Sequence, residues 1–159
     1  ILKNTILRIQ SISSIHEMLY ASHDITSISL FEYSHTLIRS VKSMFEDVNA
    51  QIRISCNDHT IGMRDAINLG LIIVELVSNA IKHNKTKHHL KISIRINYAG
   101  SKLSLFIKDN GSGFDLEATD VSKSIGINLI QTIAHSFHDS KCNFYNRRGL
   151  LFALTCHFE

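Results

Sequence analysis

Residues 65–84 restrict the fold most tightly. Leu71, Ile72, Ile73, Val74, Leu76, Val77 and Ile81 make a helix that is apolar around most of its circumference. Such a helix belongs against other elements rather than on a wet surface. Yet Glu75, Asn79, Lys82 and His83 interrupt it four, three and one residues apart, which stacks them along one stripe. Burying these groups without partners costs free energy. Either the stripe is a polar edge open to solvent, or it faces a magnesium-bound polyphosphate. In the second case Asn79 offers a hard oxygen to the metal, and Lys82 and His83 offer donors to phosphate. Glu75 can then orient or deprotonate a nucleophile.

The hydrophobic period changes on both sides of this helix. Ile52 and Ile54 alternate with polar residues in a short strand. Leu90, Ile92, Ile94 and Ile96 alternate, Ala99-Gly100-Ser101 turns the chain, and Leu103, Leu105 and Ile107 alternate again, which predicts a β-hairpin. A polar loop over 109–123 leads to a helix over 124–137 with Ile125, Leu129, Ile133 and Phe137 on one face. From Lys141 to Phe158 two more strands turn at Arg147-Arg148-Gly149. Upstream, Leu2, Ile6, Ile9, Ile12, Ile15 and Leu19 form a helical stripe over 1–21, broken by Ser22 to Ser27. Leu30, Ser34, Leu37, Val41 and Met44 then mark a second helix. Their spacing suits either a helix–helix seam or packing on the following domain. Helices followed by mixed elements ending in consecutive strands predict an α+β sandwich, one helical layer on a sheet.

Composition narrows the class. In 159 residues, 44% apolar and 19% charged, there is enough for one domain with a short helical appendage and too little charge for a disordered tail. The net charge of +3 comes from Lys and Arg scattered along the sequence, so no nucleic-acid partner is expected. The three cysteines, Cys56, Cys142 and Cys156, show no CxxC spacing, which suits a reducing cytoplasm. No uninterrupted apolar run approaches the roughly 18 residues of a membrane span, so no membrane contact by this segment is expected. Because it begins at Ile1 and not Met, the chain reads as a piece of a longer protein.

Two further segments carry chemistry. In Asp109-Asn110-Gly111-Ser112-Gly113-Phe114 an acid at a strand end can accept a hydrogen bond from an exocyclic amine such as that of adenine. The glycines allow a ligand close to the backbone. The same residues also make a good plain β-turn. In Ser124-Ile125-Gly126-Ile127-Asn128 a helix begins, leaving N–H groups for an anion; simple capping by Ser122 or Ser124 is the alternative. His88 and His89 fit no zinc spacing and read as a solvated loop.

The order and spacing of these segments resemble the ATP-binding domain shared by histidine kinases, type II topoisomerases, Hsp90-type chaperones and MutL, the Bergerat fold. The likeness runs from about residue 50 to the end. Glu75 to His83 matches its N box, Asp109 to Gly113 its G1 box and Ser124 to Asn128 its G2 box, with the ATP lid between Gly113 and Gly126. The run from Arg8 to Ser22, with His16-Glu17, followed by Phe31-Glu32-Tyr33, resembles the second dimerization helix of HisKA_2 sensor histidine kinases, close to the HWE class.

The resemblance implies a Bergerat-type α/β sandwich over 48–159, preceded by a partial dimerization region over 1–47. It implies ATP and Mg²⁺ as cofactors, with Asn79 ligating the metal, Glu75 assisting the attacking imidazole, and Lys82 and His83 near the phosphates. Asp109 would bind the adenine amine, and Gly111, Gly113, Ser124 and Gly126 would give the nucleotide room and N–H groups. It further implies a homodimer through the N-terminal helices, a response-regulator receiver domain as partner, and a cytoplasmic location, in some cases as part of a membrane-bound sensor. Two departures stand out. Gly149 is followed by Leu150 where the family usually has threonine, which removes a hydroxyl near adenine. The acceptor histidine belongs to a first helix expected to lie outside this chain; His16 matches a position that is not the acceptor. The competing readings are an anti-sigma-factor-like serine kinase and a scaffold that has lost nucleotide.

Overall fold

The computed structural model describes residues 5–10, 12–13, 27–45, 48–84, 89–113, 125–146 and 148–158. Helical backbone at 5–10 and 12–13 comes first. It is followed by β1 (Ser27–Ser29), α1 (Leu30–Met44), β2 (Ala50–Cys56), β3 (Thr60–Gly62), α2 (Met63–His83), β4 (Leu90–Ala99), β5 (Lys102–Asp109), α3 (Ile125–His135), β6 (His138–Asn146) and β7 (Leu150–His157). The main sheet has five strands in the order β2-β4-β5-β7-β6, and β1 pairs with β3 in a separate ribbon.

Among the described strands β2 and β4 run parallel and the other pairs antiparallel. A parallel pair needs a crossover, and α2 lies within it, so the apolar helix is laid across the sheet. The alternating residues set the register. Ile94 faces Ile107, Ile96 faces Leu105, and these continue to Phe152 and Leu154 on β7. A slip of one residue would turn all of them to solvent. They join the buried residues of α1, α2 and α3 in one core.

α1 begins at Ser29, whose hydroxyl accepts from the Glu32 amide at 3.2 Å, one of the donors a helix start leaves unsatisfied. Its Tyr33 ring lies against Gly70 of α2, where a Cβ would overlap the phenol. Burial pushes the Tyr33 hydroxyl well above the usual phenol range. α2 is long and apolar enough to cross a membrane by composition, but 67% of that window is buried inside the protein.

The elements follow the sequence pattern closely, with three differences. β1 and β3 are too short to carry a period, and they exist because each supplies the other's backbone partners. In the N-terminal helix Leu7 is buried while Ile6, Ile9 and Ile12 are exposed, Ile9 by 59%. The expected stripe therefore faces away from this core; Leu2, Ile15 and Leu19 lie outside the described residues. In α3 the buried positions are Gly126, Ile127, Ile130, Ile133 and Ala134, with Leu129 half-buried; the Ile125 side chain lies outside the described ones. The helix is thus rotated from the expected face, because it must cover both α2 and the β6 side of the sheet.

Candidate active site

Glu75 lies in the middle of α2 and is 3% exposed. Asn79, one turn on, donates its Nδ2 to Glu75 Oε1 at 3.4 Å. That leaves the Asn79 carbonyl oxygen turned away from the acid. The other oxygen of Glu75 is held by Arg8, whose Nη2 and Nε lie 2.6 and 3.2 Å from Oε2. The buried carboxylate is therefore paired, as its burial requires.

α3 starts directly over this pair. A Cβ on Gly126 would overlap Glu75 Oε1 and press on the Asn79 amide, so only glycine lets the beginning of α3 come this close. Glu75, Asn79, His83 and Gly126 share a cavity of about 150 Å³ with the apolar walls Leu76, Ile127, Ile130, Phe144 and Leu150. A helix start, an amide and a carboxylate thus meet in one partly apolar cleft. Lys82 is half-buried on the same helix but does not line this cavity. Leu150 does, so the residue at the usual threonine position contributes an apolar wall.

Asp109 ends β5 and is buried. Its Oδ1 accepts from the Gly111 amide at 2.6 Å, closing the turn. Asn84 ties this turn to the end of α2: its Nδ2 donates to the Ala80 carbonyl at 2.8 Å, and its Oδ1 accepts from the Ser112 amide at 2.9 Å. Gly111 lies so close to that side chain that a Cβ would overlap it, and Gly113 lies equally close to Asn146. Both glycines therefore allow close approach of a protein side chain to the turn. Gly149, at φ +117°, packs on the Asp109 backbone and so seats the β6–β7 turn beside the acid. Ser124, His88 and His16 lie outside the described residues, as does the loop from 114 to 124.

The structure thus gathers Glu75, Asn79, His83 and Gly126 around one cavity, with Asp109, Gly111 and Gly113 on the adjoining turn. Sequence reasoning did not find Arg8, Asn84 or Phe144. An asparagine just past a helix end is a common terminator, so Asn84 left a signal. Arg8 left none, being 67 residues from its partner.

Comparison with known proteins agrees with this geometry. The pattern of the histidine kinase-, DNA gyrase B- and HSP90-like ATPases matches residues 64–156. The chain belongs to this family. A histidine kinase HisKA_2 pattern matches residues 1–45, and the pair makes this the ATP-binding region of a sensor histidine kinase of that type; the serine-kinase alternative is not favoured. An uncharacterized sensor-like histidine kinase of Staphylococcus epidermidis is 32% identical over 93 residues, covering 58% of this chain and 17% of that protein. The chain therefore spans a small part of this relative's length. The histidine kinase domain of the Erythrobacter litoralis blue-light activated histidine kinase superposes with a TM-score of 0.85 at 12% identity, over 97% of this chain and 74% of that one. A mycobacterial sensor histidine kinase, MprB, gives 0.64 at 13% identity over 82% and 97%. At such identities the likeness concerns the fold.

Proposed function

We propose that the Glu75–Gly126 cavity holds the phosphates of ATP·Mg²⁺, and that the full protein moves the γ-phosphate to a histidine on a helix outside this chain. From there it would pass to an aspartate on a response-regulator receiver domain. The observation that carries the reading is the overlap a Cβ at Gly126 would make with Glu75: the start of α3, the acid and the metal-competent amide are held together by one missing side chain.

The residues fit the cofactor. Among the described residues no cluster of three His, Cys, Asp or Glu could hold a metal by itself, so Mg²⁺ would be held mainly by phosphate oxygens and water, with the Asn79 oxygen as protein ligand. Bound there, the metal would neutralise charge on the transferring phosphoryl group. The backbone at the start of α3, with Ser124, would direct donors at the phosphates, and Lys82 and His83 would add charge from the end of α2. Asp109 Oδ1 already accepts from Gly111, leaving Oδ2 for the adenine amine. Glu75 would accept the proton of the attacking imidazole. Because Arg8 holds Oε2, that role would fall to Oε1 or need the Arg8 side chain to release its oxygen.

A boundary near residue 47 is supported by the two family matches, which fall on either side of it. Exposed Ile6, Ile9 and Ile12 support helix pairing in a homodimer. We place the region on the cytoplasmic side, where ATP and receiver domains are available. The test is a thermal-shift titration with ATP, with and without Mg²⁺, where a magnesium-dependent rise is expected. No shift at millimolar ATP and Mg²⁺ would defeat the nucleotide reading. Strong acid-labile label on this chain alone from radiolabelled ATP would defeat the placement of the acceptor.

A further inference from the structure

The nucleotide reading uses the helix-covered face of the sheet; the opposite face has a feature of its own. Register puts Arg53 of β2, Ser93 of β4 and Lys108 of β5 side by side, all exposed. With strands about 4.8 Å apart, Arg53 and Lys108 stand about 10 Å apart with Ser93 between them. Lys91 projects on the same face two residues earlier, opposite Gln51. These side chains surround a cavity of about 270 Å³, backed by Asn110, Ile92 and the buried Asp109, the acid assigned to the nucleotide site, whose Oδ1 accepts from the Gly111 amide. Asn110 is a fixed wall, since its Oδ1 accepts from the Lys91 amide at 2.8 Å and its Nδ2 donates to the His89 carbonyl at 3.1 Å.

Sheets normally oppose unlike charges across strands. Here the partners of the cations are Gln51 and Ser93, and the outward positions of β2, β4 and β5 contain no Asp or Glu. Among the described residues, the side chains of Arg53, Lys91 and Lys108 form no hydrogen bond or ion pair. Asp109 is the one acid in the lining, and no ion pair joins it to Arg53, Lys91 or Lys108; three cations against one buried carboxylate leave an excess of positive charge. A carboxylate has too few oxygens and too little charge to meet all three, whereas a phosphate can take an arginine fork and two ammonium groups together. We propose that this cavity binds a phosphate-class anion, with Arg53, Lys91 and Lys108 supplying charge and Ser93 and Gln51 neutral donors.

The source could be a soluble phosphorylated molecule or a lipid headgroup, and the test separates them. Inorganic pyrophosphate is titrated into ¹⁵N-labelled protein, and vesicles of phosphatidylglycerol in phosphatidylcholine are co-sedimented with it. Two triple variants are compared: Arg53→Gln/Lys91→Gln/Lys108→Gln, and a control with equal charge loss elsewhere on the same face, Arg95→Gln/Lys102→Gln/Lys141→Gln. Saturable amide shifts at Gln51, Arg53, Ser93 and Lys108 are expected. Binding should weaken about tenfold or more in the first variant and stay within about twofold in the control. Selective loss with pyrophosphate marks a soluble ligand; selective loss with vesicles alone marks a headgroup. Equal loss in both variants, shifts confined to Glu75, Asn79 and Gly126, or binding to neither probe would overturn the proposal.

Discussion

Replacing Arg8 by alanine removes the charged partner of an acid that cannot reach water. The Glu75 side chain is 4% exposed, while that of Arg8 is 28% exposed. Deleting one member of a buried ion pair costs about 3–5 kcal/mol, because the other charge is left buried. The outer end of this pair is wet, which lowers the expected loss to about 2–3 kcal/mol. Asn79 compensates little: its single hydrogen bond to Glu75 is 3.4 Å long. The converse change, Glu75→Gln, keeps the volume and removes the buried charge, while the Arg8 side chain, 28% exposed, is already in contact with solvent, so the substitution should cost only about 1 kcal/mol. The two substitutions break the same contact yet should differ by a factor of two or more. Urea unfolding with an unchanged slope measures this directly. In a chain of this size Arg8→Ala should also lower Tm by about 4–12 °C. A loss within about 0.5 kcal/mol for Arg8→Ala, or a larger loss for Glu75→Gln, would refute the argument that the buried carboxylate sets the energy of the pair.

Asp109→Asn keeps an acceptor for the Gly111 amide but sets a donor against the adenine amine, so calorimetry should find ATP binding at least about tenfold weaker with Tm nearly unchanged. Gly126→Ala forces a methyl against Glu75 and Asn79; a loss of about 1–3 kcal/mol in urea together with weaker ATP binding is expected, and a variant unchanged in both would sink the close-approach reading. Asn84→Ala leaves the Ser112 amide and Ala80 carbonyl without their partner, which should cost about 1–3 kcal/mol and speed amide exchange at Ser112. Burial beside Asp65 pushes the Cys156 thiol up to about 12, so at pH 8 it is almost entirely protonated. Alkylation of the folded protein should then spare Cys156 and modify half-buried Cys56 and Cys142 first; equal rates for all three would contradict its burial.

The elements that could be read from sequence are those whose burial repeats with their own period. The hairpin of β4 and β5 was plain because every second residue from Leu90 to Ile107 meets the core. α2 was plain because apolar residues surround it. The face of α3 was not, since Ile127, Ile130 and Ala134 are buried by what the helix lies on. Nor was the basic face of the sheet: Arg53, Lys91 and Lys108 look scattered along the chain and become neighbours only through strand register.

The site divides along the same line. Residue identity and local spacing nominated Glu75, Asn79, Asp109 and Gly126 beside plain alternatives, a wet helix edge, a β-turn and a simple cap; the order of the three segments along the chain and the resemblance it carries favoured the nucleotide reading. Tertiary structure alone decided which groups they touch. Arg8 reaches Glu75 across 67 residues, Asn84 spans from α2 to the Asp109 turn, and Leu150 closes a cavity that its usual counterpart would have left with a hydroxyl. Periodicity reports which side of an element is buried. The partner across a gap depends on how several elements pack together, and no local stretch of sequence encodes that.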